Sequence, residues 1–511
     1  MGQILPKFRL SVIEDIKASI LAGTSNYYGF AADPISTESV ANTTTDIYSS
    51  RFIPAWRMQF GKKLFSTDIM PVVTKVEWAS NTVYDVYDNN NANLESNTFY
   101  VMVPPTETGG TYHYFKCLDN ANGANSTEIP DLVQSETFTK SDGYKWRYIC
   151  SCTSAVYDKF STTDYTPIYP NTEIVTSAFL NSGIEVVTVS NVGMSYDTYK
   201  SGNVQSFSNS TLIQIENSAP YINDYYTDSA ILVYEYGGEP LAGVLRTITS
   251  YEANSAGRWI EVNTAVNTAS FTSPIYKISP RVVFDTDGEE DPLAYTEIDS
   301  SSNTLANVVI LNTGYGISRA NVSIVANSSY GSDATVQAIV PSAGGHGSNP
   351  ESELFVKGFS CVFSFSNTEY TTIPVNTSYN KIGIIKNPYV ISQNTALKLD
   401  AYTANTFTAY LEATVSPANT FTVGDYVFGN TSGAKAIVAF SNSTVIYLTG
   451  DKDFTNGEYI TSEDGDDSTA ITITTIGDIY CRDLIPLYIE NISDVERSSV
   501  QTETFKLILK V

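Results

Sequence analysis

The chain has 511 residues, with 29 Lys and Arg against 55 Asp and Glu, a formal net charge of −26 and only 2 His. A single hydrophobic core stops growing near about 250–300 residues, so this length calls for several domains, and a 42% hydrophobic content is enough to fold them. The negative balance argues against a nucleic acid or an anionic membrane as partner, because both are held by clustered Lys and Arg.

Charged residues make up 16% of the chain, below the roughly 25% of an average soluble protein. The polar surface must therefore come from Asn, Ser, Thr and the 35 Tyr, a composition of strands and turns. The N-terminal stretch carries Glu14, Asp15 and Lys17 where a secretory leader needs apolar residues. Nor does any run approach the ~18 apolar residues of a membrane span. Synthesis and folding in a cytoplasm are expected, with the five cysteines (Cys117, Cys150, Cys152, Cys361, Cys481) reduced and mostly buried.

In chain order, Phe8, Val12, Ile13, Ile16 and Ile20 predict one face of a helix over residues 7–21, ended by Gly23. Short alternating runs follow. Val72, Val76 and Trp78 are expected on one strand face, and Tyr144, Trp146, Tyr148, Cys150 and Cys152 on another. Prolines at Met70-Pro71, Val103-Pro104-Pro105 and Tyr169-Pro170 separate these runs.

Two internal similarities stand in the second half. Val186 to Gly193 and Val308 to Gly314 each read as a strand entering an Asn/Gly turn, as related β units would. Phe421-Thr-Val-Gly-Asp-Tyr-Val is echoed by Phe454-Thr-Asn-Gly-Glu-Tyr-Ile, with each Gly making a tight turn and the next three residues starting a strand. The charged tip Glu463 to Asp467 belongs in solvent. The fold class expected is mainly β with minor α: a multi-domain antiparallel β-sandwich or barrel architecture with one N-terminal amphipathic helix and inserted small β modules. Its expected segments are 1–178, 179–340, 341–399, 400–476 and 477–511.

Chemistry is hard to place on this chain. His113 alternates with Phe115 and Cys117, as a packed histidine does, and His346 is expected in a flexible loop, the glycine-flanked run Gly344-Gly345-His346-Gly347. There is no GxSxG elbow, HExxH, phosphate-binding loop or GxGxxG. Asp285, Asp287 and Asp291 form the one string resembling a calcium loop. With Gly288 at loop position six, however, position one falls on Val283 and position twelve on Ala294, neither of which offers a side-chain oxygen. A solvated loop is the better reading. Cys150-Ser-Cys152 lacks the second pair that zinc needs. Trp56, Trp78, Trp146 and Trp259 could be sugar platforms, although a core position is the commoner fate. The expectation is a protein without catalysis, cofactor or metal.

Several segments in chain order carry a resemblance. They are Lys7-Phe8-Arg9 with its helix, Asn26 to Phe30, Asp68 to Pro71 through Trp78, and Ser141-Asp142-Gly143-Tyr144-Lys145-Trp146-Arg147-Tyr148. Later come Gly344, Gly345, His346 and Gly347 with Pro350, then Asn380 to Asn387 and Pro388, Tyr488 to Asn491, and the strand 504–511. Together they resemble the β-rich baseplate wedge subunit of contractile-tailed phages, of the T-even type and its longer cyanophage relatives. Asp142, Gly143, Tyr144, Trp146 and Tyr148 match that family's D-G-Y-x-W-x-Y strand. Residues 180–340 and 400–476 look like insertions between the matching segments.

The resemblance implies a homodimer in each of six wedges, bridging other wedge proteins and the peripheral baseplate proteins that carry receptor-binding fibres. It implies a virion protein of the tail baseplate, assembled in the host bacterial cytoplasm, with no enzymatic activity. The alternative is a trimeric tail fibre or spike that binds or degrades host polysaccharide. A calcium-stabilised adhesin is a third reading, resting on residues 285–291 alone.

Overall fold

The expected helix forms over Pro6–Leu21, and Gly23 follows it at φ +66. Its buried edge is Leu10 and Ile13, whereas Phe8, expected on that face, is 60% exposed. The computed structural model describes residues 6–34, 54–180, 182–196, 200–326, 331–369, 373, 375–390, 402–480, 484 and 486–510. Cys481 lies outside them, and the other four cysteines are free and buried. The architecture is mainly β, with several antiparallel sheets, and contacts divide the chain into one unit of residues 1–72 with 357–511 and a second of 73–356. No helix among the described residues is long and apolar enough to cross a membrane.

The first unit is built on a five-stranded sheet in the order Thr406–Thr408, Met58–Lys63, Tyr27–Ala32, Ser378–Lys386, Pro486–Glu496. Strand Tyr27–Ala32 is buried at all six positions. A second sheet, Glu503–Lys510 with Gly358–Phe365 and Ile69–Thr74, packs across it, bringing Phe60 edge-on to Phe365 at 4.9 Å. Gly29 makes that approach feasible, since a Cβ there would stand 2.7 Å from the Phe363 ring. Asn387 turns the chain after Ser378–Lys386 at φ +48. Its Oδ1 accepts the Asn26 N–H at 2.7 Å, and its own N–H donates to the Asn26 carbonyl at 2.7 Å. The Pro388 carbonyl then accepts the Tyr402 N–H.

The same unit contains a closed six-stranded barrel between residues 411 and 476. Around the ring its strands run first, fourth, third, second, fifth, sixth. The echoed segments are its second and fifth strands, Tyr426–Gly429 and Tyr459–Ser462, and they pair with each other, Val427 opposite Ser462 and Gly429 opposite Ile460. Equivalent bonds recur in both halves. Gly424 N–H reaches the Val438 carbonyl at 2.8 Å and Gly457 N–H reaches that of Ile471 at 2.8 Å, while Val438 and Ile471 donate to Asp425 and Glu458 at 3.0 and 2.9 Å. The barrel is thus a duplicated half related to its copy by an internal two-fold axis. Phe421 and Phe454, Val427 and Ile460 fill matching places in its core.

The second unit holds two such rings, one nested in the other. The inner barrel is closed, over Lys200–Phe207, Leu212–Ile215, Ala230–Glu235, Val244–Asn254, Gly257–Val262 and Pro274–Ser279. It is inserted between the first and second strands of an outer ring made of Val187–Met194, Arg281–Thr286, Leu293–Asp299, Thr304–Asn312, Ala320–Val325 and Ser332–Ala338. The outer ring is hydrogen-bonded as a four-stranded and a two-stranded sheet that enclose one core, including Val187, Ala294, Val308 and Ala338. It repeats the strand order of the 411–476 barrel. The inner barrel has that order too, once counting starts at its second strand, so it is a circular permutation of the others. The related segments 186–193 and 308–314 contribute the first and fourth strands of the outer ring, the two positions its pseudo-two-fold exchanges.

A four-stranded sheet, Tyr100–Val103, Thr111–Asn120, Tyr144–Thr153 and Phe138–Thr139, completes the unit. Here one expectation is corrected. Phe115 pairs with Tyr148 but Tyr114 pairs with Cys150, so Ile149 is an extra residue in its strand. The bulge reverses the alternation. Tyr144, Trp146 and Tyr148 pack with Phe115 and Cys117 on one face, while Cys150 and Cys152 join Tyr114 in the core on the other.

Candidate functional site

Because the resemblance rests most on Asp142 to Tyr148 and on Gly344 to Gly347, the site is built from these two segments. Asp142 and Gly143 form the turn into the strand, with Gly143 at φ +87. Asp142 Oδ2 accepts the N–H groups of Thr127 (2.8 Å) and Glu128 (3.0 Å), and Oδ1 accepts that of Tyr144 (3.1 Å). Burial opposes ionisation here, but the backbone donors outweigh it and hold the carboxyl below its ordinary range. Beyond the turn, Tyr144 stacks on Trp146 at 5.5 Å and 17°, and Tyr84 meets Trp146 edge-on at 5.7 Å. All of Tyr144, Trp146 and Tyr148 are core residues.

Strand alternation sends Arg147 to the opposite face, directly across from Lys116 on the neighbouring strand. Both cations are fully buried. Such an arrangement survives only with matched anions, and two carboxylates supply them. Lys116 Nζ lies 2.5 Å from Glu353 Oε2 and 4.0 Å from the centre of the Tyr87 ring. Arg147 Nη2 lies 3.4 Å from Glu185 Oε1, and Thr137 donates its hydroxyl to Glu185 Oε2 at 2.5 Å. Burial draws Lys116 below its ordinary pKa against the pull of Glu353, and raises Glu185 against that of Arg147.

The same groups fasten the Gly344 to Gly347 loop. Glu353 Oε1 accepts the N–H of Gly347 at 2.7 Å and of Asn349 at 3.3 Å, and Arg147 Nη2 donates to the His346 carbonyl at 3.4 Å. The loop presses on helix Thr172–Leu180 so closely that a Cβ on Gly345 would stand 2.2 Å from the Ala178 carbonyl oxygen. His346, read from its glycines as part of a flexible loop, is instead 1% exposed. Its ring meets Tyr87 edge-on at 5.6 Å, and neither ring nitrogen has a hydrogen-bond partner. Burial, reinforced by Lys116 and Arg147, drives its pKa well below the usual value, so the ring is neutral. His113 is half-buried near Phe115 and Tyr148, and burial lowers its pKa as well.

The arrangement is a buried lock of two cations and two carboxylates that ties two strands, a short helix and a glycine loop together. Asn387 and Pro388 belong to the first unit and close a turn there. Asp285, Asp287 and Asp291 have separate tasks. Asp287 accepts the N–H groups of Ser318 (2.9 Å) and Arg319 (2.7 Å), Asp285 faces the Arg319 guanidinium at 3.3 Å, and Asp291 accepts the Thr286 hydroxyl at 2.5 Å. Among the described residues no group of three or more His, Cys, Asp or Glu is arranged to hold a metal ion. Sequence reasoning missed Lys116, Arg147, Glu185 and Glu353. Two of them carried a signal: Lys116 is the one Lys or Arg in the strand Tyr-His-Tyr-Phe-Lys-Cys-Leu, and Arg147 lies between Trp146 and Tyr148 in Tyr-Lys-Trp-Arg-Tyr-Ile-Cys, where Lys145, nearer the turn, keeps partial exposure. Compared with known proteins, the chain matches no protein-family model and no curated protein significantly.

Proposed function

We propose that the chain is a non-catalytic structural subunit of a contractile phage tail baseplate, a homodimeric wedge protein that bridges other wedge proteins and the peripheral proteins carrying fibres. One observation carries this reading. The Asp142 to Tyr148 strand and the Gly344 to Gly347 loop, separated in sequence by the nested barrels, meet through the Arg147 bond to the His346 carbonyl, and Glu353 ties the loop to Lys116 on the neighbouring strand. Two segments that resemble the wedge family are thus neighbours in the second unit although the two rings, which have no counterpart in the compact form of that family, separate them in sequence. A body locked by buried ion pairs suits a scaffold, whose contacts must hold a fixed geometry. The 35 Tyr suit it too, each joining an apolar ring to a hydrogen-bonding tip at a contact surface.

The test is to purify tails from particles that encode this chain and map it by mass spectrometry and antibody labelling. The reading expects the chain at the baseplate in fixed ratio to the other wedge proteins. Its absence from assembled tails, or its location along fibres alone, overturns the reading.

A further inference from the structure

The inner barrel opens at one seam. Its first strand pairs with its last only as far as Asn203 opposite Ile275. Beyond that point the strand pairs with Leu212–Ile215 alone, through a bulge in which Gln205 is the extra residue. A groove lies between this freed half and the segment leading to Pro274. Phe207 and Phe271 stack in its wall at 6.4 Å and 26°, and Tyr236 stands at the rim with 75% of its surface exposed.

The rest of the lining is amide and hydroxyl: Asn203, Gln205, Ser206, Thr272 and Ser273, with Val204 and Pro274. None of the lining residues is charged, in a chain of net charge −26. Carboxylates brace the groove without lining it. Glu235 accepts the N–H groups of Thr272 (3.0 Å) and Ser273 (2.7 Å), and Glu216 accepts that of Asn203 at 2.5 Å. Tyr236 N–H donates to the Ser273 carbonyl at 3.0 Å. The walls are therefore fixed before any ligand arrives, which lowers the entropy lost on binding.

We infer that this groove binds a neutral saccharide chain. The exposed Tyr236 ring, beside the half-buried Phe207 and Phe271, offers a flat apolar face for the C–H face of a sugar ring, and the amides and hydroxyls both donate and accept for sugar hydroxyls. An anionic ligand would find no counter-charge in the lining, the Glu235 and Glu216 carboxylates behind it are already engaged by backbone N–H groups, and a purely apolar ligand would leave the amides unpaired. An extended peptide, the other candidate for an open strand edge, is disfavoured by the bulge at Gln205, which breaks the alternation that strand addition requires. The inference stands apart from the baseplate reading, so either can fail alone.

The experiment exposes the full chain, and its Tyr236→Ala and Gln205→Ala variants, to an array of neutral and acidic glycans, followed by calorimetry with the best neutral oligosaccharide. At least one neutral oligosaccharide binds, and Tyr236→Ala weakens it about tenfold or more with unchanged thermal melting, since the ring is exposed. Gln205→Ala weakens it less. Binding to no neutral glycan, binding only to acidic glycans, or equal binding by Tyr236→Ala overturns the inference. So does displacement of the sugar by a generic extended peptide.

Discussion

Lys116 Nζ and Glu353 Oε2 lie 2.5 Å apart with both side chains wholly buried. Glu353 also accepts the Gly347 N–H, so one carboxylate neutralises a strand cation and anchors the glycine loop. Removing one partner of a buried pair leaves an uncompensated charge, which typically costs about 3–5 kcal/mol. Lys116→Met and Glu353→Gln should each lower the thermal midpoint sharply, and the double variant should be less destabilised than the sum of the two. Differential scanning calorimetry on the three variants checks this; strictly additive shifts would show that the pair is not coupled.

His346 makes the chain sensitive to mild acid. Its folded pKa lies well below that of the unfolded chain, whose ordinary value is 6.5. Well above pH 6.5 neither state is protonated and this contribution to stability is complete. As pH falls below 6.5 the unfolded state takes up the proton first, so stability drops, at a slope approaching about 1.4 kcal/mol per pH unit. His113, lowered by burial too, adds a smaller loss in the same direction. Melting temperatures between pH 7.5 and 5 should fall for the native chain and fall less for His346→Leu. Parallel profiles for the two proteins would contradict this account.

Trp146 is fully buried between Tyr144 and Tyr84, yet its indole N–H meets no acceptor. Truncating it to Ala should cost about 3–5 kcal/mol, as large aromatic deletions in a core do. Trp146→Phe should cost less, because it keeps a stacked ring and gives up no hydrogen bond. Unchanged melting of Trp146→Ala would remove the residue from the core.

The 411–476 barrel closes on its own core, and its first and last strands bring Leu411 opposite Ile476. Expressed alone, it should fold as a cooperative β protein, seen as dispersed amide resonances and a single thermal transition. A collapsed product without dispersion would mean that the duplicated halves need the rest of their unit.

Much of the strand pattern was open to sequence reading, for physical reasons visible in particular residues. Tyr144, Trp146 and Tyr148 alternate cleanly, and the paired Gly-acid-Tyr segments mark the two halves of the barrel through turn chemistry that is local. What stayed hidden depends on a third dimension. The Ile149 bulge that turns Cys150 and Cys152 to the other face adds a residue without changing composition. The flanking glycines of His346 gave no hint that a helix and two ion pairs cover it. Phe8 fits the periodicity of a buried helix face, but the surface beneath that helix buries Leu10 and Ile13, half-covers Val12, Ile16 and Ile20, and leaves Phe8 exposed. The nesting of one barrel in another cannot be read from strand propensity, because each strand looks alike whichever ring it joins. The lock itself joins Lys116 to Glu353 and Arg147 to Glu185, pairs distant in sequence.

The central claim, a dimeric wedge scaffold, is tested most directly by the solution mass of the purified full chain, from light scattering after size exclusion. The account predicts a stable species of twice 55.8 kDa, formed through one self-complementary surface. A stable trimer would contradict it and turn attention to a fibre or spike.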